Sequence, residues 1–328
     1  MERNYLISNI RIIATFIVVL GHSIMLYSNN WGLIPINHST PPNLLTISKK
    51  TIDLFQMPLF FSLSGYLHQY LINKGKIITL KSLLTKKFLR LFVPYIFLSI
   101  IMLYIRLYVN YCNWQELSNL EILNNLLFMR NDSHLWFLSA LFQIFILHYF
   151  ISHIKRNNIE LILALCISLT SSYLPIGYLF HTGDALKYLF WFYLGCWIKN
   201  NQTQIQFSYN KSKSAIILLF LLSLTLSFLL RQGRTTHIII QYMSSILFIF
   251  IIYNTVSTKK CYKGMEILDK NSFAIYLFHI PIIYLIFYHN NNINPYIISF
   301  LCIVVSYIAS ITLGNIIRKS KLKILIGE

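Results

Sequence analysis

The chain has 328 residues, of which 56% are hydrophobic and 12% are charged, and its formal net charge is +18. Soluble domains carry about 25% charged residues, so the composition excludes a soluble enzyme, a disordered chain and a disulfide-stapled secreted module. The positive charge would suggest a nucleic-acid partner for a soluble chain. In membrane proteins, however, lysine and arginine collect in cytoplasmic loops, so no nucleic-acid partner is expected.

Ten apolar stretches follow one another along the chain, and each is suited to crossing a membrane, which takes about 20 residues. They are 5–28, 52–72, 88–112, 134–152, 159–180, 185–199, 214–230, 238–256, 272–289 and 295–317. The stretch 185–199 is the weakest of them, because it is short and contains Lys187.

Basic residues are distributed unequally between the two sides of the predicted membrane. With Met1 in the cytoplasm, the inner segments hold 20 lysines and arginines and the outer segments hold 6. This bias favours cytoplasmic termini and an even number of spans. The sequence therefore predicts an all-α polytopic membrane helical bundle of about ten transmembrane helices. We expect a single domain over 1–328 with no separate soluble domain. We expect it to be a multi-pass protein that contacts the lipids of a bacterial cytoplasmic (inner) membrane.

The five cysteines show no CxxC or CxH spacing. They are Cys112, Cys166, Cys196, Cys261 and Cys302. Most of them lie inside apolar stretches, so we expect small buried apolar residues and no metal site.

The first apolar stretch contains two polar residues, Arg11 and His22, which are costly inside a membrane. Eleven helical residues turn through three full turns plus about 20°, so both side chains share one helix face, roughly 16 Å apart along the axis. This arrangement predicts a cation near the inner leaflet and an imidazole towards the outer leaflet of one cavity. The alternative is an arginine that snorkels to the surface and an isolated core histidine.

The second stretch contains the segment DLFQMPLFFSLSGYL, and Asp53 lies at its outer end, on the same predicted side as His22. A carboxylate beside a histidine would orient the ring and raise its basicity. Ser64 and Gly65 are small residues among aromatic ones, which suits either a channel wall or close helix packing, and composition favours packing.

The segment before the third stretch is basic and contains no acid. It serves either as a topology signal or as a site for a phosphorylated donor. Position favours the second role for Lys87 and Arg90, which precede Pro94 at the mouth of the stretch. In the ninth stretch, Tyr276 and His279 either line the same cavity or are aromatic packing.

Six motifs occur in a fixed order along the chain. They are Arg-x10-His (Arg11, His22), MPLFFSLSGYL at 57–67, KKFLRLFVPY at 86–95, LWFL at 135–138, FYLG at 192–195 and SFAIYLFHIP at 272–281. In this order the chain resembles the acyltransferase-three family of integral-membrane proteins, which O-acylate surface carbohydrates. The resemblance extends from Arg11 to the tenth stretch.

The resemblance implies an O-acetyltransferase that uses cytoplasmic acetyl-CoA as its acyl donor substrate, with no tightly bound cofactor. The acceptor is implied to be a hydroxyl of a glycan or of a lipid-linked glycan. His22 is implied to be catalytic, and Arg11, Lys87 and Arg90 to hold the CoA phosphates. The residues expected to line the cavity are Ser64, Gly65, Trp136, Tyr276 and His279.

Two positions depart from the family pattern. Many members have Arg-x-x-Arg where this chain has Lys87 and Arg90, and lysine binds phosphate as a point charge without a bidentate fork. Related sequences often have HMPLFF where this chain has Gln56 before Met57, which removes a possible second histidine.

A sugar hydroxyl is a weak nucleophile, so acyl transfer from a thioester needs a base, and neutral histidine suits this role. We therefore expect direct transfer with His22 as general base and Asp53 as its orienting carboxylate; transient acetylation of His22 is the lesser alternative. The rival function is a glycan exporter or flippase, and a third is a membrane subunit without an active site. A transporter would more commonly show paired half-helices interrupted by Gly or Pro, and the sequence has no such pair.

Overall fold

The computed structural model describes residues 4–25, 43–76, 79–109, 116–127, 134–151, 157–174, 179–230, 233–256, 258, 263–290 and 293–328. These residues form helices and contain no strand, which confirms the all-α prediction. The α-helices are α1 (Tyr5–Ser23), α2 (Asn43–Asn73), α3 (Leu80–Lys87), α4 (Val93–Tyr108), α5 (Asn119–Leu127), α6 (Trp136–Ile151), α7 (Asn157–Tyr173), α8 (Thr182–Asn200), α9 (Gln202–Leu229), α10 (Arg234–Thr255), α11 (Lys263–His289) and α12 (Pro295–Lys319). A π-helical turn, Phe88–Phe92, joins α3 to α4, and short 3-10 turns occupy Leu179–His181 and Lys323–Ile326.

Each of the ten predicted stretches coincides with a helix. Among the described residues, six helices are long and apolar enough to cross a membrane, and two shorter apolar helices add to them. The six are Tyr5–Ser23, Leu80–Tyr108, Gln202–Leu229, Arg234–Thr255, Gly264–His289 and Pro295–Lys319. The chain is therefore a polytopic helical bundle. The number of ten spans and the cytoplasmic termini stay predictions. Parts of the predicted stretches, at 26–28, 110–112, 152 and 175–178, lie outside the described residues.

Two α-helices were not predicted from the sequence: α3, in the basic segment before the third stretch, and α5, between the third and fourth stretches. Helix α5 begins with a capping box, in which Ser118 and Glu121 exchange hydrogen bonds between side chain and backbone. The Ser118 hydroxyl and amide both donate to the Glu121 carboxylate, and these bonds lower the pKa of that carboxyl. The helix is short and lies between predicted spans, so apolar periodicity alone did not reveal it.

Helices α2 and α8 form the centre of the bundle. A methyl group added at Gly65 would overlap the carbonyl oxygen of Phe192, and one added at Gly195 would overlap the carbonyl oxygen of Ser62. The two backbones therefore touch, as small residues allow in membrane bundles. The prediction that Gly65 lines a cavity is therefore wrong, because the space where its side chain would lie is occupied by the backbone of α8.

The other helices surround this central pair. Helices α6 and α7 pack against α8. Helix α10 packs against α2 on one side and against α9 on another, and α1 contacts α2, α11 and α12. Helix α4 packs against α11. Among the cysteines, Cys196 and Cys302 are buried, whereas Cys166 is exposed on α7; Cys112 and Cys261 lie outside the described residues.

Two prolines inside helices each free a backbone carbonyl oxygen that forms a hydrogen bond with a side chain from another segment. A proline has no amide hydrogen, so it frees the carbonyl oxygen four residues earlier. Pro58 frees the oxygen of Leu54, which accepts a 2.5 Å hydrogen bond from Ser245 of α10. Pro281 frees the oxygen of Leu277, which His134 Nε2 approaches to 3.2 Å. In each case a neighbouring segment satisfies the carbonyl, as an apolar environment requires.

Candidate active site

A basic cavity of about 270 Å³ brings together residues from five helices. Its cations are Arg11 on α1, Lys87 on α3, Arg90 in the π-helical turn and Lys270 on α11. The first three are the residues expected from the sequence to hold CoA phosphates, and the structure places them around one space although up to 79 positions separate them. We call this space the basic cavity. Ser64 also lines it, and its hydroxyl donates to the Phe60 carbonyl oxygen at 2.9 Å.

An ion pair holds Arg11 in the wall of the basic cavity. Arg11 Nη1 lies 2.7 Å from Asp269 Oδ1, and the two side chains are 28% and 10% exposed. The pair lowers the cost of a charge inside an apolar bundle and leaves further guanidinium donors directed at the cavity. Sequence reasoning missed Asp269, although one signal was present: it is one of only 10 acids in the chain and lies three residues before the start of the SFAIYLFHIP motif.

Lys87 and Arg90 lie directly before the π-helical turn and within it, respectively, and both side chains reach the basic cavity. Lys87 Nζ lies 3.6 Å from the centroid of the Phe145 ring on α6, a cation–π geometry that holds the ammonium at the cavity edge. Arg90 lies three residues later and lines the same cavity. Residues Ile326, Gly327 and Glu328 complete the wall beside Arg90, where a methyl group added at Gly327 would meet the Arg90 carbonyl oxygen.

A second cavity, also of about 270 Å³, contains the first-stretch histidine. Its residues come from α1, α2, α6, α8 and α11, from the turn after α1 and from the turn before α6. They are Val18, His22, Met25, Lys49, Asp53, Gln56, Met57, His134, Trp136, Tyr188 and Tyr276. We call this space the histidine cavity. Asp53 is 38% exposed at the side chain, so it lies at the outward end of the cavity.

His22 is hydrogen-bonded to a second histidine from α11. His22 Nδ1 lies 2.9 Å from His279 Nε2, and His279 Nδ1 lies 3.0 Å from the Ile275 carbonyl oxygen. A carbonyl oxygen only accepts, so the Nδ1 of a neutral His279 carries the hydrogen and its Nε2 carries the lone pair. The Nδ1 of His22 therefore donates to His279, which leaves the basic lone pair of His22 on Nε2.

The structure differs from two sequence expectations about the surroundings of His22. His279 was expected to line the cavity, but it is fully buried and lies behind His22 as its hydrogen-bond acceptor. Asp53 was expected to orient His22, and it does line the same cavity. Its carboxylate instead accepts from Lys49 Nζ, one helical turn earlier, and from Gln56 Nε2 at 2.6 Å. The lysine at i−4 competes for Asp53 and neutralises it.

His134 was not singled out from the sequence, although it directly precedes the LWFL motif. It is 3% exposed and lines the histidine cavity. Its Nε2 donates to the Leu277 carbonyl oxygen that Pro281 leaves free, and its ring centroid lies 5.4 Å from that of His279. Trp136, two residues later, lines the cavity as expected from the sequence.

Tyr276 lies where the two cavities meet. Its ring contributes to both walls, and its hydroxyl donates a 2.5 Å hydrogen bond to the His134 carbonyl oxygen. The site therefore has cations on one side of Tyr276 and an imidazole lone pair on the other. Helix α1 supplies the key residue of each side, Arg11 and His22. Within the described residues, no group of three or more His, Cys, Asp or Glu side chains is placed to hold a metal ion.

Comparison with known proteins gave one match. A family model described as an acyltransferase domain, acyltransferase-3, matches residues 4–316, which is nearly the whole chain. The match includes every residue of the histidine cavity and every residue of the basic cavity except Ile326, Gly327 and Glu328. No curated protein and no solved structure matches the chain.

Proposed function

Because the chain belongs to the acyltransferase-3 family and is therefore an acyl-transfer enzyme, we propose that it is a membrane-bound O-acyltransferase that uses cytoplasmic acyl-CoA. The acceptor is a hydroxyl of a surface polysaccharide or of its lipid-linked precursor, and the acyl group is acetyl. One observation carries the proposal: a cavity lined by four cations and a cavity lined by His22 meet at Tyr276. The first suits a polyphosphorylated donor, and the second suits activation of a hydroxyl.

The basic cavity would bind the donor by its phosphates. Charge-assisted hydrogen bonds from guanidinium and ammonium groups to phosphate are about twice as strong as neutral ones. Arg11 is held by Asp269 and can present its remaining donors as a planar fork, whereas Lys87 acts as a point charge. CoA carries several charges and cannot enter hydrocarbon, so its nucleotide end stays in this cavity while the pantetheine arm extends to the boundary at Tyr276, where the thioester faces His22.

The histidine cavity would supply the base. The Nε2 lone pair of His22 removes the proton from the acceptor hydroxyl as its oxygen attacks the thioester carbonyl carbon. The carbon–sulfur bond then breaks, and the proton passes from His22 to the CoA sulfur, giving an ester and free CoA. The imidazolium formed in between keeps its Nδ1 hydrogen bond to His279, so His279 positions His22 and stabilises its charged form.

Purified protein in proteoliposomes with radiolabelled acetyl-CoA and a glycan acceptor tests this function. We expect label to appear on the glycan as an alkali-labile ester in the wild type and not in His22→Ala. Trp197→Phe, a change on α8 outside both cavities, is a control for reconstitution. An exporter would move glycan across the membrane without any transfer of label, and that result would overturn the proposal.

A further inference from the structure

The two cavities are separated by a narrow boundary. Within the described part of the chain, Tyr276 is the one residue that lines both cavities. Three other helices pass from one cavity wall to the other over one to three residues. The crossings lie between Thr15 and Val18 on α1, between Met57 and Phe60 on α2, and between Trp136 and Phe137 on α6.

Three aromatic rings close this boundary on the side of the basic cavity. The ring centroids of Phe60, Phe137 and Tyr276 lie 5.6–6.1 Å from one another. We call these three residues the aromatic junction. Phe137 is 5% and Tyr276 is 4% exposed, and the hydroxyl of Tyr276 is tied to the His134 carbonyl oxygen. The rings are therefore held by packing and by a hydrogen bond, and they do not yield freely to a larger group.

We propose that the aromatic junction selects the length of the transferred acyl chain and restricts the enzyme to short acyl groups such as acetyl. The proposal rests on the proposed function. The donor phosphates lie among the cations of the basic cavity, and the reacting hydroxyl lies at His22. The thioester carbonyl carbon must reach that hydroxyl, so the acyl group stands at the boundary between the cavities.

The packing of the junction gives the direction of selection. Each additional methylene of the acyl chain must fit among rings whose positions are fixed, and overpacking of a close-packed site is unfavourable. One methylene in an apolar pocket changes kcat/KM by about 10- to 200-fold. Acetyl-CoA should therefore be used at least about 10-fold better than butyryl-CoA. Removing one ring of the junction should relax this difference.

Proteoliposomes supplied with acetyl-CoA or butyryl-CoA in parallel test the proposal. The readout is the butyryl-to-acetyl ratio of transfer rates, which does not depend on how much protein is active. Tyr276→Leu and Phe137→Leu should each raise the ratio at least about 10-fold. Tyr276→Phe keeps the ring and should leave the ratio near the wild-type value. Tyr284→Leu, which changes a buried tyrosine of the same helix outside both cavities, is the matched control.

The outcomes separate this proposal from the proposed function. A wild type that uses butyryl-CoA as fast as acetyl-CoA overturns acyl selection without any variant. Ratios unchanged in whichever of Tyr276→Leu and Phe137→Leu is active also overturn it, while acetyl transfer by the wild type would still support the proposed function. No acetyl transfer by the wild type would overturn the proposed function itself.

Discussion

His22 on α1 and His279 on α11 share a hydrogen bond of 2.9 Å between Nδ1 and Nε2, although 257 positions separate them in the chain. The Ile275 carbonyl oxygen fixes the hydrogen of His279 on Nδ1, and this sets the tautomer of His22. A backbone carbonyl and a histidine thus do for His22 what a carboxylate does in many catalytic triads.

We expect His279→Leu to reduce acyl transfer, because it removes the acceptor for the His22 Nδ1 hydrogen. The loss should be smaller than the loss in His22→Ala, since the base itself remains. His279→Gln supplies a side-chain oxygen and should recover part of the rate. Initial rates are measured per inserted molecule. Equal losses in His279→Leu and His279→Gln would indicate a packing role instead.

Neutralising the basic pair before α4 should weaken the binding of acyl-CoA. Each charge-assisted phosphate contact is worth about 1.5–3 kcal/mol, so Lys87→Gln and Arg90→Gln should each raise KM by about 10- to 100-fold. The measurement compares acetyl-CoA with acetyl-pantetheine, which lacks the nucleotide phosphates. Lys319→Gln with Lys321→Gln is the matched control, because both lysines are exposed and outside the cavities. An equal loss with acetyl-pantetheine would contradict a phosphate role.

The contact between α2 and α8 should tolerate no side chain at Gly65. A methyl group there meets the backbone of Phe192, which cannot move aside as a flexible side chain could, so Gly65→Ala should cost at least about 1–3 kcal/mol. Gly264→Ala introduces the same change on α11, where nothing lies within 4 Å. Thermal unfolding in detergent should distinguish the two. A Gly65→Ala variant that is as stable as the wild type but uses the donor differently would contradict the packing role and indicate that Gly65 lines the cavity.

Reporter fusions test the predicted topology. A reporter after Glu328 should give a cytoplasmic signal and a reporter within 113–133 the opposite signal, because the 20-to-6 distribution of basic residues places these positions on different sides. Identical signals at the two positions would rule out the ten-span arrangement.

Helical periodicity was sufficient to predict the parts of the site that lie on one helix. The 11-residue spacing placed Arg11 and His22 on one face of α1, but the single cavity expected from this spacing is divided in the structure, where Arg11 lines one cavity and His22 lines the other. Hydropathy likewise located a helix at each of the ten predicted stretches, because the ability of an apolar helix to cross a membrane depends on its composition and length. The position of Lys87 and Arg90 next to Pro94 indicated a common site for them, and the structure places both in one cavity wall.

The parts that failed depend on contacts between helices. Nothing local to α1 indicates that His22 meets His279. The pair of Lys49 and Asp53 is the exception, because both residues lie on α2 at i,i+4 and this spacing could have predicted their contact. For Gly65, composition suggested packing but the motif suggested a cavity wall, and only the crossing with α8 decides between them. Asp269 and His134 were missed because each matters through a partner on another segment, Arg11 and the Leu277 carbonyl oxygen.

The rate of glycan acylation by His22→Ala, normalised to the amount of inserted protein, tests the central claim most directly. Loss of a general base costs about 10²–10⁴ in rate, so acylation should fall by that factor while expression, insertion and binding of acetyl-CoA stay at wild-type levels. A histidine that serves only packing would give the opposite pattern, with less protein in the membrane but normal activity per molecule. Wild-type acylation per His22→Ala molecule would contradict the account.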